Sequence, residues 1–249
     1  MTKRKLLILA LEILLVCAVI DFFFVVASLS PPRIIHHKKP RLSVDLSYFV
    51  LGECGGSLFG RNCQPVTAVS NLGCSFIIDQ QLFGGLTPQY PIATCVVTRS
   101  GLPTDDWAPL PGGCVYTRQG FTFVCYQYII YKDGKYQRIG TMDAFRTLFS
   151  PVDSPEEALG FALASGDYFA QYKQKKDRNL VYSVPTLEDT YVKTVTDGYI
   201  TQLFNTPVFG CGPFYTEAVE LKVTYDGYVS EIKRFRVYRD PDHDNYCQD

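Results

Sequence analysis

Cysteine placement constrains this chain more than any other feature. Of nine cysteines, Cys17 lies in an apolar N-terminal run, and Cys54, Cys63, Cys74, Cys95, Cys114, Cys125, Cys211 and Cys247 all follow it. An even set downstream of an export-like segment reads as a disulfide framework in an oxidising compartment, not as scattered cytosolic thiols. No CxxC pair occurs, so neither a zinc ribbon nor a thioredoxin-type motif is supported. Gln119-Gly120 reads as a two-residue turn between Cys114-Val-Tyr-Thr-Arg and Phe-Thr-Phe-Val-Cys125. Outward counting sets Arg118 against Phe121 and Cys114 against Cys125, within disulfide reach. Pairing of the other six is left open by the sequence.

The N-terminal segment supplies the export argument. Residues 1–5 carry Lys3, Arg4 and Lys5, and residues 6–29 are apolar except for Glu12, Asp21 and Ser28. As a helix such a run would be about 36 Å long, more than the ~30 Å hydrocarbon core. The expectation is an uncleaved single-pass anchor over 6–29, touching the lipid bilayer directly. The alternative is a signal peptide cut near Ala27, which would release a secreted chain. Glu12 and Asp21 fall on nearly opposite helix faces, so one partner helix would not serve both. Asp21 at an interface and Glu12 protonated or snorkelling is the simpler account. Basic residues flank the segment on both sides and leave its orientation open; the cysteines place the C-terminal portion outside the cytoplasm.

Residues 30–42 read as a linker, with Pro31, Pro32 and Pro40 opposing a continuous helix. His36 and His37, beside Lys38 and Lys39, are expected in water or at lipid headgroups rather than on a metal. Residues 43–140 form a Cys-rich β region and 141–249 an α+β region, or the two make one continuous domain. The 17 Tyr and 17 Phe suit strands. Asp133-Gly134, Asp197-Gly198 and Asp226-Gly227 signal hairpins. In the second, Val195 should meet Ile200. In the third, Lys222 should meet Glu231, Glu220 meet Lys233, and Leu221 meet Ile232. Ser154-Pro-Glu-Glu157 is a capping box opening a helix with Leu159, Ala162, Leu163 and Ala170 on one face, and a shorter helix spans Met142 to Phe149 before Pro151. The fold class expected is therefore α+β and strand-rich: a transmembrane helix, then antiparallel hairpins with one or two covering helices, stapled by disulfides.

No catalytic constellation emerges, and no cofactor is implied. A net charge of −1 gives no case for a nucleic-acid partner. Of three histidines, only His243 lies outside the linker, and its neighbour Cys247 reads more simply as a bridge partner than as a nucleophile. Asp240, Asp242 and Asp244 alternate like the start of a calcium loop but lack its glycine and closing glutamate, so a solvated acidic tail is preferred. Asp105 and Asp106 beside Trp107 are the candidates for acid/base work, although neighbouring side chains on a strand point apart. Cys211 between two glycines is expected in a constrained, bridged turn. The function expected is a membrane-anchored extracytoplasmic binding or structural module, with exposed Tyr and Phe meeting a protein partner outside. The alternatives are a carboxylate hydrolase, or a thiol-redox protein with one free cysteine.

Overall fold

A computed structural model describes residues 32–42, 44–57, 60–78, 85–100, 112–118, 122–207 and 210–248. The expected anchor over 6–29 and the expected turn at 119–120 lie outside the described residues. Among the described residues, no helix is long and apolar enough to cross a membrane.

The strands in chain order are β1 (Arg33–Ile35), β2 (Gly55–Ser57), β3 (Gly60–Cys63), β4 (Phe76–Ile78), β5 (Ile92–Ser100), β6 (Tyr116–Arg118), β7 (Thr122–Lys132), β8 (Lys135–Ile139), β9 (Val181–Tyr182), β10 (Thr186–Glu188), β11 (Tyr191–Val195), β12 (Gly198–Asn205), β13 (Gly210–Cys211), β14 (Tyr215–Thr224), β15 (Val229–Arg239) and β16 (Cys247–Gln248). The helices are α1 (Thr67–Ser70), α2 (Met142–Phe149) and α3 (Pro155–Ala164). The protein is thus strand-rich α+β with few helices. Its first sheet runs β2-β3-β4-β5-β7-β6, with β8 sharing the β6 edge of β7; its second runs β11-β12-β14-β15-β9. Two small pairs complete it: β1 parallel to β10, and β13 antiparallel to β16.

Period-two alternation sorts the strand residues into layers. On β7, Tyr128 and Ile130 face one core, while Cys125 and Ile129 face another. The first of these cores is shared by both sheets. Ile92, Tyr128 and Ile139 from one, and Tyr199, Leu203, Val219 and Leu221 from the other, pack with Phe145, Phe149, Leu159 and Phe161 of the two helices between them. Tyr128 donates its buried hydroxyl to the Ala164 carbonyl, joining the first sheet to the end of α3.

Helix α3 starts as its sequence dictates. Ser154 Oγ accepts from Glu157 N at 3.2 Å, Glu157 Oε2 accepts from Ser154 N at 3.0 Å, and Pro155 occupies the first turn. Its burial differs from the single apolar face expected: every residue from Glu157 to Ala164 is buried, because the second sheet packs on one side while Leu86, Phe145 of α2 and Tyr128 cover the others. It ends at Ala164, so Ala170 falls beyond it.

Hairpin registers depart from outward counting where tertiary packing competes with turn chemistry. Asp133-Gly134 turns as expected, with φ of 52° and 74° and Lys132 opposite Lys135. The next hairpin pairs Val195 with Gly198, not Ile200. Gly198, at φ 143°, is the first residue of β12, where a Cβ would collide with the Val223 carbonyl of β14. That glycine admits the close approach of the neighbouring strand β14. In the third hairpin Lys222 faces Ser230 and Leu221 faces Glu231, while Glu220 faces Lys233 as expected. A longer loop, closed by Thr224 N donating to Tyr228 O at 2.9 Å, shifts the register, and a bulge at Glu220/Leu221 restores it. Ile232 is the residue left over; it is exposed instead of packing on Leu221.

Candidate functional site

All eight cysteines after Cys17 are bridged: Cys54–Cys63, Cys74–Cys95, Cys114–Cys125 and Cys211–Cys247. None of the eight is left as a thiol, so a redox cysteine is not found among them, and Cys247 is no nucleophile for His243. Cys114 meets Cys125 by a route different from the one counted in the sequence. Arg118 pairs with Val124 and Thr117 with Cys125. The chain folds back at Gly112 and Gly113, with φ of 85° and 75°, and lays Cys114 over β7 with its Cα 5.5 Å from that of Cys125. Gly113 O accepts from the Gln127 amide and holds the fold-back in place.

The acidic tail does not converge. Asp240 caps a single 3-10 turn by accepting from Asp242 N at 3.0 Å and meets His243 Nδ1 at 3.0 Å; Asp244 pairs with Arg239. Cys211–Cys247 fastens this tail to the β13 loop directly across a strand pair. Among the described residues, no group of three or more His, Cys, Asp or Glu is placed to hold a metal ion. Asp105 and Asp106 lie outside the described residues.

A polar centre not anticipated in the sequence forms where residues 33–39 dock on the body of the protein. The expected solvated linker is instead a strap. Arg33 N donates to Pro185 O, Asp189 N donates to Ile35 O, and β1 pairs in parallel with β10. Asp189 is its anchor, with a fully buried side chain. Its Oδ2 lies 3.1 Å from His36 Nδ1 and accepts from His37 N at 3.3 Å and Lys173 N at 2.9 Å, while Oδ1 accepts from Gln174 N at 3.2 Å. Burial works against the charged carboxylate, but His36 and these three backbone N–H groups outweigh it and hold the Asp189 carboxyl below its ordinary value. His37 lies alongside, with Nε2 2.7 Å from Glu188 Oε1 and its ring 5.4 Å from that of Tyr191. The histidines expected in water or at lipid headgroups are thus tied to two carboxylates on β10 and the turn after it. Nothing in the local sequence around Asp189 marks it, since the partners of its carboxylate lie 15 or more residues away.

Two hollows flank the strap. A cavity of about 180 Å³ is lined by His37, Lys38, Glu156, Tyr172 and Tyr191. A groove of about 620 Å³ is lined by Lys39, Tyr172, Lys173, Lys175, Tyr182 and Tyr238. The loop Gln171–Asp177 forms one wall, placed by Gln171 N on Thr190 Oγ1 at 3.0 Å and by the two bonds to Asp189. Gln171 Nε2 donates to the Tyr238 hydroxyl at 2.8 Å, and the Tyr182 hydroxyl accepts from Asp177 N at 2.8 Å. Burial, then the Asp189 charge, pushes the Tyr172 hydroxyl up to about 12, so it is a neutral donor at physiological pH. Lys38, Lys39, Lys173, Lys175 and Lys176 are exposed, and among the described residues none of them is ion-paired. The run Lys173-Gln-Lys-Lys-Asp-Arg178 was a visible signal, but only the fold brings it beside Lys38 and Lys39. No family model, curated protein or solved structure matches the chain.

Proposed function

We propose that the chain is an extracytoplasmic binding or structural module, held at a membrane by residues 6–29. The observation that carries this reading is the complete bridging of the eight cysteines that follow the apolar segment. Structural disulfides persist in oxidising compartments, and the basic start followed by an apolar run long enough to span a bilayer supplies a route there. Docking of the strap adds to the case. Four residues after Leu29 the chain is already paired in β1, so the module would sit against the bilayer instead of on a long tether. A binding role is favoured because the strap's histidines are engaged by Asp189 and Glu188, while its exposed Lys39 joins the lysine- and tyrosine-lined groove.

The test is the intact mass and membrane behaviour of the full chain made in an export-competent host. The expected result is a chain that resists carbonate extraction, keeps residues 1–29, and gains no maleimide on the eight downstream cysteines until reduced. Labelling of all eight in unreduced material would overturn the extracytoplasmic placement, and release by carbonate would overturn the anchor.

A further inference from the structure

We infer that the groove between the strap and the Gln171–Asp177 loop binds the phosphate headgroup of an anionic lipid in the membrane that carries the chain. This rests on the tethered reading above. The first support is charge. Lys39, Lys173 and Lys175 line the groove, with Lys38, Lys176 and Arg178 close by in the chain, whereas the whole protein carries a net charge of −1. Of the nearby carboxylates, Asp189 and Glu188 are bonded to the two histidines, and Asp177, which also lines the groove, is the single negative charge set against its three lysines. Basic patches of this kind attract anionic bilayers, each cation contributing about fivefold in affinity.

The second support is the groove's chemistry. Tyr172, Tyr182 and Tyr238 give it an amphipathic lining of rings with hydroxyl tips, the character favoured at headgroup depth. The third is covalent reach. Arg33 is four residues beyond Leu29, so the strap can stand no more than about 14 Å from the end of the apolar segment. Lys39 is six residues further on and already in the groove. The chain path thus keeps this basic face near the bilayer, which favours a lipid over a free anion.

Full-length chain in nanodiscs tests the inference, using acetylation of lysine amines read by mass spectrometry. Discs of phosphatidylcholine alone are compared with discs containing phosphatidylglycerol, and with phosphatidylcholine discs plus soluble glycerol 3-phosphate. Lys135, the first residue of β8, is the internal reference. The expected result is acetylation of Lys39, Lys173 and Lys175 slowed about fivefold or more by phosphatidylglycerol. That protection should be reversed by high salt, and protection of Lys39 should be lost in a Lys173→Gln/Lys175→Gln variant whose disulfides are intact. Co-elution with both discs without phosphatidylglycerol-dependent protection overturns the headgroup site and leaves the anchor standing. Failure to co-elute with phosphatidylcholine discs overturns the anchor, and protection by phosphatidylglycerol would then still support the groove. Protection by glycerol 3-phosphate equal to that by phosphatidylglycerol overturns the lipid as the source.

Discussion

In the first sheet β2, β3 and β4 are three or four residues long, and β2 and β3 read Gly-Gly-Ser and Gly-Arg-Asn-Cys. In the second, β14 and β15 run for 10 and 11 residues and pair along most of their length. Three of the four disulfides lie in or beside the first sheet, and none joins two strands of the second. Short glycine-bearing strands bury little side-chain area and lose much backbone entropy on ordering, so they are poor at holding themselves. Bridges spanning 9, 21 and 11 residues offset this by shrinking the unfolded ensemble, each by about 3 kcal/mol in the chain-entropy account. The second sheet needs no such help. Leu203, Val219, Leu221 and Val223 are fully buried against the helices, and each contributes about 1.5–3 kcal/mol of burial. At the margin of that same face Arg234, opposite Val219, bridges Glu231 at 2.7 Å and Glu217 at 2.9 Å. Cross-linking and packing are thus alternative answers to the same entropic cost, used in adjacent halves of one molecule.

Reduction of all bridges should strain that contrast most. Hydrogen exchange after treatment with a phosphine reductant is expected to show β3 and β4 amides losing protection by about a hundredfold, for about 3 kcal/mol per bridge. Those of β12 and β14 should change far less. Equal loss in both sheets would mean that the second depends on the staples as much as the first. Phe161→Ala attacks the layer the sheets share. Phe161 is fully buried and edge-on to Phe145 at 5.1 Å, so the change should cost about 3–5 kcal/mol. In urea both sheets should then unfold in one transition at a lower midpoint; separate transitions would show that the shared core does not couple them.

Asp189→Asn is expected to cost about 1.5–3 kcal/mol, since a buried charge-assisted acceptor is replaced by a group that must turn a donor toward other donors. The damage should be local, seen as faster exchange at the amides of Arg33 and Asp189. Acid should reproduce it. Because folding lowers the Asp189 carboxyl below its ordinary value of 3.8, the stabilisation is complete above that pH and is lost as pH falls through the lower, folded-state value. Trypsin-like cutting cannot be followed in acid, so pepsin cleavage near the strap is the readout. Release of the strap already at pH 5 would rule out Asp189 as its anchor. Smallest is Ser154→Ala, which removes one half of the capping box for about 1 kcal/mol, read as a modest fall in Tm.

Legibility of the sequence followed the range of the interactions involved. The capping box over Ser154–Glu157 and the Asp133-Gly134 turn are set by groups within four residues of one another, and both were readable. The long-range features were not. Gly198 looked like a turn residue because the carbonyl it must clear belongs to Val223, on the neighbouring strand 25 residues further along the chain. The linker looked solvated because the carboxylates that receive His36 and His37 stand more than 150 residues away.

By itself the sequence determined where the two longer helices lie, that Asp-Gly pairs mark hairpins, and that eight thiols follow an apolar leader; each depends on local dihedral preference, periodicity or composition. Only the tertiary structure decided how the six sulfurs other than those of Cys114 and Cys125 pair, how the strands register beyond their turns, and that a histidine strap, a buried Asp189 and a lysine-lined groove share one face. Those outcomes depend on which distant surfaces pack together, and no short window of residues encodes that.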